Sequence, residues 1–170
     1  KTKKRNNNSR NKSKNKSKNK SRNNFEKEKV IKFNDYPDFK PNLTPSQIFK
    51  LGSFGGTYWR PIYSSVNNKK YKDQYLEFPD EWFQNIPIEH LTTPYDKYNE
   101  SINKYKVKVG QTLEAWEENG WIEPQDPYGW MQWYCRFYAG RRSPDDERQI
   151  ARWKKLTGEN GRFRKWLITD

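Results

Sequence analysis

The chain has 170 residues, which leaves room for about one domain, and its formal net charge is +13. Its single cysteine, Cys135, excludes an internal disulfide, and one histidine, His90, beside one cysteine is too few for a zinc site of three or four such ligands. No apolar run approaches the ~20 residues that cross a bilayer. We therefore expect an intracellular, non-membrane protein without a metal or cofactor.

The N-terminal segment carries most of the charge. Residues 1–24 contain 11 Lys or Arg and no acidic residue, so that all later residues together contribute only +2 of the total +13. No apolar residue precedes Phe25. This composition predicts a disordered basic tail and linker over residues 1–33, followed by one globular domain over residues 34–170. Basic runs of this kind also serve as nuclear localisation patches.

Aromatic residues dominate the predicted domain. All eight Trp, eleven Tyr and nine Phe follow residue 24, which predicts a core built mainly from aromatic rings. The first helix signal is a capping box, with Thr44 as N-cap, Pro45 at the first helical position and Gln47 three residues after the cap. Gly52 supplies the end of that helix.

A Gly-rich stretch and a hairpin come next. Residues 54–59 and 62–66 are predicted to form irregular strands or a hairpin that closes at Asn67 and Asn68. The Gly-rich stretch lacks the spacing of a phosphate loop, which favours a tight turn against aromatic neighbours. The alternative is that the Gly-rich backbone, beside Tyr58, Trp59 and Arg60, lines a pocket that stacks a base. Residues 79–83 predict one helical turn, and Thr112 caps a helix that ends at Gly120.

The C-terminal third predicts two helices joined at a corner. Asp126 caps the first, whose five aromatic residues share one helical face: Trp130, Trp133, Tyr134, Phe137 and Tyr138. Gly140 ends that helix, and Ser143 with Pro144 begins the next, whose apolar stripe is Ile150, Trp153 and Leu156, with Gly158 as its end. A last short helix is predicted over residues 162–168. The arrangement resembles a helix–turn–helix hairpin with arginines at its corner.

Basic residues are concentrated in this third. Residues 130–170 hold ten basic and five acidic residues, whereas residues 25–129 hold thirteen and sixteen. Basic side chains at a helical spacing suit phosphate contacts, although charged faces also form by local pairing and solvation. The residues predicted to contact nucleic acid are Trp59, Arg60, Arg141, Arg142, Arg148, Arg152, Lys155, Arg162, Arg164 and Lys165.

Three long segments of the sequence resemble segments of other proteins. The stretches LGSFGGTYWRPIYSSV (51–66), INKYKVKVGQTLEAWEENGWI (102–122) and QDPYGWMQWYCRFYAGRRSPDDERQIARWKKLTGENGRFRKWL (125–167) resemble an uncharacterised family of proteins encoded by large DNA viruses and by some fungi and algae. The resemblance spans roughly residues 37–168 and implies no activity that can be named. A nucleus, a viral factory or a virion is the location that we expect.

Three functions fit this sequence. The first is a nucleic-acid-binding protein, with DNA favoured over RNA, that contacts phosphates through the tail and the C-terminal arginines. The second is an enzyme acting on nucleic acid or nucleotide that uses the loop of residues 52–60 and a carboxylate, and this function is less favoured. Its candidate site is the carboxylate pair of Glu123 and Asp126, alone or with magnesium. The third is a structural or protein-interaction domain with a solubilising tail. The predicted fold is α+β and mainly helical, with a small irregular sheet or hairpin and several short helices around a Trp/Tyr-rich core.

Overall fold

A computed structural model describes residues 30–104, 106 and 111–157. The basic segment 1–24, the stop at Gly158 and the helix predicted over residues 162–168 lie outside the described residues. Within the described part, four α-helices and one two-stranded antiparallel sheet surround an aromatic core. The chain is therefore a small α+β fold, as the sequence predicts.

Helix α1 spans Pro45–Lys50 and has the predicted caps. The Thr44 side chain accepts from the Gln47 amide at 3.2 Å, and the Gln47 side chain accepts from the Thr44 amide at 2.9 Å. After the C-cap, Gly52 has a φ of +64°, a conformation that glycine adopts at little cost. Both ends of the predicted helix are confirmed.

The hairpin consists of β1 (Ile62–Ser64) and β2 (Lys69–Tyr71), with Ile62 opposite Tyr71. Asn68 has a φ of +50° in the turn, which agrees with the predicted closure at this point. The Glu117 carboxylate fixes the turn to α2 (Leu113–Glu118), because it accepts from the amides of Ser65 at 2.8 Å and Val66 at 3.2 Å.

The predicted strand over residues 54–59 is wrong, because these residues form consecutive turns. Gly55 and Gly56 have φ values of +60° and +85°, which interrupt an extended chain. Between the hairpin and α2 the described residues form five 3₁₀ turns, three of them after a proline. Their bounds are Gln74–Glu77, Asp80–Phe83, Ile88–His90, Tyr95–Lys97 and Glu100–Ile102.

Helix α3, Trp130–Tyr138, runs through the core. Its N-cap is Gly129, with a φ of +90° and no side-chain cap hydrogen bond, so the prediction of Asp126 as cap is wrong. The aromatic face is confirmed, but Met131, Gln132 and Cys135 are buried as well. The helix is therefore enclosed on more than the one face that its periodicity indicates.

Helix α4 spans Asp146–Thr157 and begins after a turn at residues 144–145. The Ser143 amide and hydroxyl donate to the Asp146 carboxylate at 2.8 and 3.0 Å. The same carboxylate accepts from the Trp133 indole N–H at 2.8 Å. A fully buried aspartate thus joins the start of α4 to the middle of α3, which fixes the corner between the two helices.

The core lies where α1, α3, α4 and the turns of residues 54–59 meet. Its side chains with no exposed surface are Phe39, Trp59, Trp133, Tyr134, Cys135 and Phe137. Among the described residues, no helix is both long enough and apolar enough to cross a membrane.

Candidate functional site

Arg141 and Arg142, at the corner between α3 and α4, form ion pairs with aspartates of the same chain. Arg141 binds both oxygens of Asp126, at 2.7 and 2.6 Å, and Asp126 is buried. Arg142 donates to Asp35 at 2.6 Å and to the Phe137 carbonyl at 2.9 Å, and its guanidinium lies 3.7 Å from the centroid of the Phe137 ring. The hydrogen bond from Arg142 lowers the pKa of Asp35. These contacts hold the corner in place.

A second guanidinium completes the group around Asp126. Arg136 binds Asp126 at 3.0 Å and forms two hydrogen bonds to Glu77, at 2.8 and 2.7 Å. Burial opposes the charge of Arg136, but the hydrogen bonds and charges of Glu77 and Asp126 outweigh it and raise the pKa of Arg136. Both Asp126 oxygens therefore accept hydrogen bonds from arginines of the same chain.

The cysteine and the histidine of the chain lie in opposite environments. Burial raises the pKa of the Cys135 thiol well above its ordinary value, which opposes formation of a nucleophilic thiolate. His90 is exposed in a 3₁₀ turn. Across the described ranges, no three His, Cys, Asp or Glu side chains form a group that could hold a metal ion.

The face of α4 carries basic side chains that differ in their pairing with the acidic residues that the structure describes. Arg148 pairs with Asp145 at 2.5 Å, as local pairing predicts. Arg152 and Lys155 have no carboxylate within 4.0 Å among the residues that the structure describes. Burial, and next the charge of Arg148, lowers the pKa of Arg152. The guanidinium lies 5.2 Å from the centroid of the ring of Trp121, which is 36% exposed.

The remaining predicted contacts divide into three groups. Trp59 is 0% exposed, and its ring packs 5.2 Å from Tyr128 and 5.5 Å from Phe78. A base therefore has no access to this ring, and the prediction that Trp59 stacks nucleic acid is wrong. Arg162, Arg164 and Lys165 lie outside the described residues. Arg60 lines a separate cavity.

The cavity at Arg60 has a volume of about 60 Å³ and mostly aromatic walls. The Arg60 Nη1 donates to the Thr57 carbonyl at 3.2 Å, and the guanidinium lies 5.5 Å from the centroid of the Tyr95 ring. Burial lowers the pKa of Arg60. The rings in the walls are those of Phe54, Tyr58, Tyr95, Tyr98, Trp116 and Tyr128.

The Gly-rich turn positions part of this wall. The carbonyls of Gly55 and Gly56 accept from the amides of Asn99 and Thr93, both at 3.0 Å, which fixes the segment that carries Tyr95 and Tyr98. A Cβ on Gly55 would lie 2.6 Å from Cδ1 of the Tyr98 ring and closer still to Cε1. The interpretation of this stretch as a tight turn against aromatic neighbours is confirmed.

Sequence reasoning missed the aromatic partners of both arginines. Tyr95 and Trp121 lie far in sequence from Arg60 and Arg152, respectively, so no local spacing indicates either pair. Comparison of the chain with protein-family models, curated proteins and solved structures finds no match.

Proposed function

We propose that the chain binds nucleic acid, with DNA favoured over RNA, through the basic side chains of residues 1–24 and of α4. The observation that carries the proposal is the lack of carboxylate partners for Arg152 and Lys155 within the described part of the chain. Such cations can replace the counterions of a phosphate backbone, and release of those ions drives binding. Such a function suits the nucleus, a viral factory or a virion.

The surroundings of Arg152 support a docking role for α4. The partly exposed Trp121 ring gives a surface on which a base can stack next to a guanidinium. Arg141 and Arg142 contribute by fixing the connection between α3 and α4, through Asp126 and Asp35. The two helices would then act as a helix–turn–helix-like hairpin, with α4 as the docked helix.

Salt dependence tests the electrostatic part of the proposal. Fluorescence anisotropy with a labelled DNA duplex should give a linear fall of log affinity with log salt, of about 0.9 per phosphate contact. A chain lacking residues 1–24 should give a shallower slope and retain weaker binding. The same titration with an RNA duplex of matching sequence measures the preference for DNA.

Two substitutions test α4 itself. Arg152→Ala with Lys155→Ala, in the chain lacking residues 1–24, should remove most of the remaining binding. The matched control is Lys50→Ala with Lys97→Ala, which removes the same charge from two exposed lysines outside α4. Equal losses from the two double variants would contradict a docked α4 and leave only unspecific attraction to net positive charge.

A further inference from the structure

Arg60 is a largely enclosed cation whose charge has no close anionic partner among the described residues. No carboxylate described lies within 4.0 Å of its guanidinium, and the only hydrogen bond described for its five donors is the one to the Thr57 carbonyl. The acidic residue whose charge acts on it most is Glu114, which is exposed at the start of α2. Because a desolvated cation is costly without a counter-ion, the cavity favours entry of an anion.

The walls restrict which anion fits. The Tyr58 hydroxyl donates to the Tyr128 carbonyl at 2.9 Å, and the Tyr128 hydroxyl donates to the Arg60 carbonyl at 2.7 Å. The hydroxyl protons of Tyr58 and Tyr128 are therefore directed to the backbone. The wall is mostly aromatic ring surface, beside the polar side chains of Thr57 and Gln111. A ligand with one negative charge would balance the charge of Arg60. A phosphate dianion would leave a net negative charge in a poorly solvated space, so a monoanion is favoured.

The size of the cavity limits the part of a ligand that enters. The cavity volume of about 60 Å³ holds a few water-sized groups, which suits one small oxyanion group. The planar guanidinium matches the two oxygens of a carboxylate. The rings of Phe54, Tyr95 and Trp116 offer apolar contact to the part of the ligand next to that group.

From this geometry we infer that the Arg60 cavity is a binding site for the carboxylate of a monocarboxylic ligand with an apolar or aromatic group beside it. A free organic acid and the C-terminus of a peptide share this chemistry. The site does not depend on nucleic-acid binding, since Arg60 is separate from α4.

Ligand-observed ¹⁹F NMR on the full chain tests the site with two molecules of one shape. The resonance of 4-fluorobenzoate should broaden on addition of the protein, whereas neutral 4-fluorobenzamide should bind about tenfold more weakly or worse, because it lacks the charge-assisted pair. Displacement of the fluorobenzoate by acetyl-Gly-Phe with a free C-terminus, and not by its C-terminal amide, would assign the site to peptide termini. Displacement by benzoate alone would assign it to free acids.

Variants link the signal to Arg60. Arg60→Met should abolish broadening of the fluorobenzoate resonance, while Lys97→Met, which removes an exposed charge from the adjacent 3₁₀ turn, should retain it. Near-UV circular dichroism checks that both variants fold. Should Arg60→Met fail to fold, the comparison of acid with amide on the unaltered chain decides. Equal binding of acid and amide, no binding of either, or full binding by a folded Arg60→Met variant would each overturn the inference.

Discussion

A comparison of two glycines tests whether contact with the Tyr98 ring requires glycine in the Gly-rich turn. Gly55 and Gly120 have φ values of +60° and +69°, so alanine at either position carries a similar backbone cost of about 1–2 kcal/mol. Their surroundings differ, because a Cβ at Gly120 meets nothing within 4 Å, whereas a Cβ at Gly55 meets the Tyr98 ring. Forcing that ring to move adds about 1–3 kcal/mol of overpacking. Gly55→Ala should therefore lose about 2–5 kcal/mol of unfolding free energy, against about 1–2 for Gly120→Ala.

Urea denaturation of both variants measures the difference, and a double-mutant cycle identifies its source. In a chain that also carries Tyr98→Ala, the cost of Gly55→Ala should fall to that of Gly120→Ala, because the clashing ring is gone. Equal costs for the two glycine variants in the unaltered chain would refute the argument that the turn is shaped by contact with Tyr98. An unchanged Gly55→Ala cost in the Tyr98→Ala chain would refute it as well.

Three further predictions concern buried groups. Asp126→Asn should cost about 3–5 kcal/mol in chemical denaturation, because it removes a charge that pairs two guanidiniums, whereas Glu77→Gln, at a side chain 42% exposed, should cost less than about 1 kcal/mol. Trp133→Ala should cost about 3–5 kcal/mol and Trp153→Ala less, since only Trp133 is fully buried; denaturation midpoints in the reverse order would contradict this. Burial raises the pKa of Tyr128 to about 12, above an ordinary value of about 10, so the unfolded state releases this proton first. The free energy of unfolding should thus fall between about pH 10 and 12, by about 1.4 kcal/mol per pH unit for this group, and more gently in Tyr128→Phe.

Local sequence signals predicted the ends of several elements. The capping box at Thr44, the hairpin closure at Asn68 and the cap at Thr112 depend on residues within a few positions of each other, and the structure has all three. The aromatic face of α3 was predictable for the same reason, since a period of 3.6 residues is a property of one segment.

Contacts between distant segments could not be predicted in this way. Asp126 has the position of a helix cap in sequence, but Arg136 and Arg141 approach its carboxylate only once α3 and the corner are folded. Arg142 pairs with Asp35, 107 residues away, and no spacing rule connects them. The Gly-rich backbone next to Trp59 suggested a pocket for a base, but the ring of Trp59 packs against Phe78 and Tyr128, which are distant in sequence.

Ion pairs reduce the number of basic side chains in the C-terminal third that are available to bind phosphate. Seven basic residues lie between positions 130 and 157. Five of them have a carboxylate within 4.0 Å among the described residues, and Arg152 and Lys155 have none there. Counting residues therefore overstates the field that this part of the domain presents to a phosphate backbone. Under the proposed function, most of the attraction would then come from the 11 cations of residues 1–24, which carry no sequence preference. The contribution of α4 would be to orient the bound strand, so that substitutions at Arg152 and Lys155 should alter the preference between duplex and single strand more than the total affinity of the full chain.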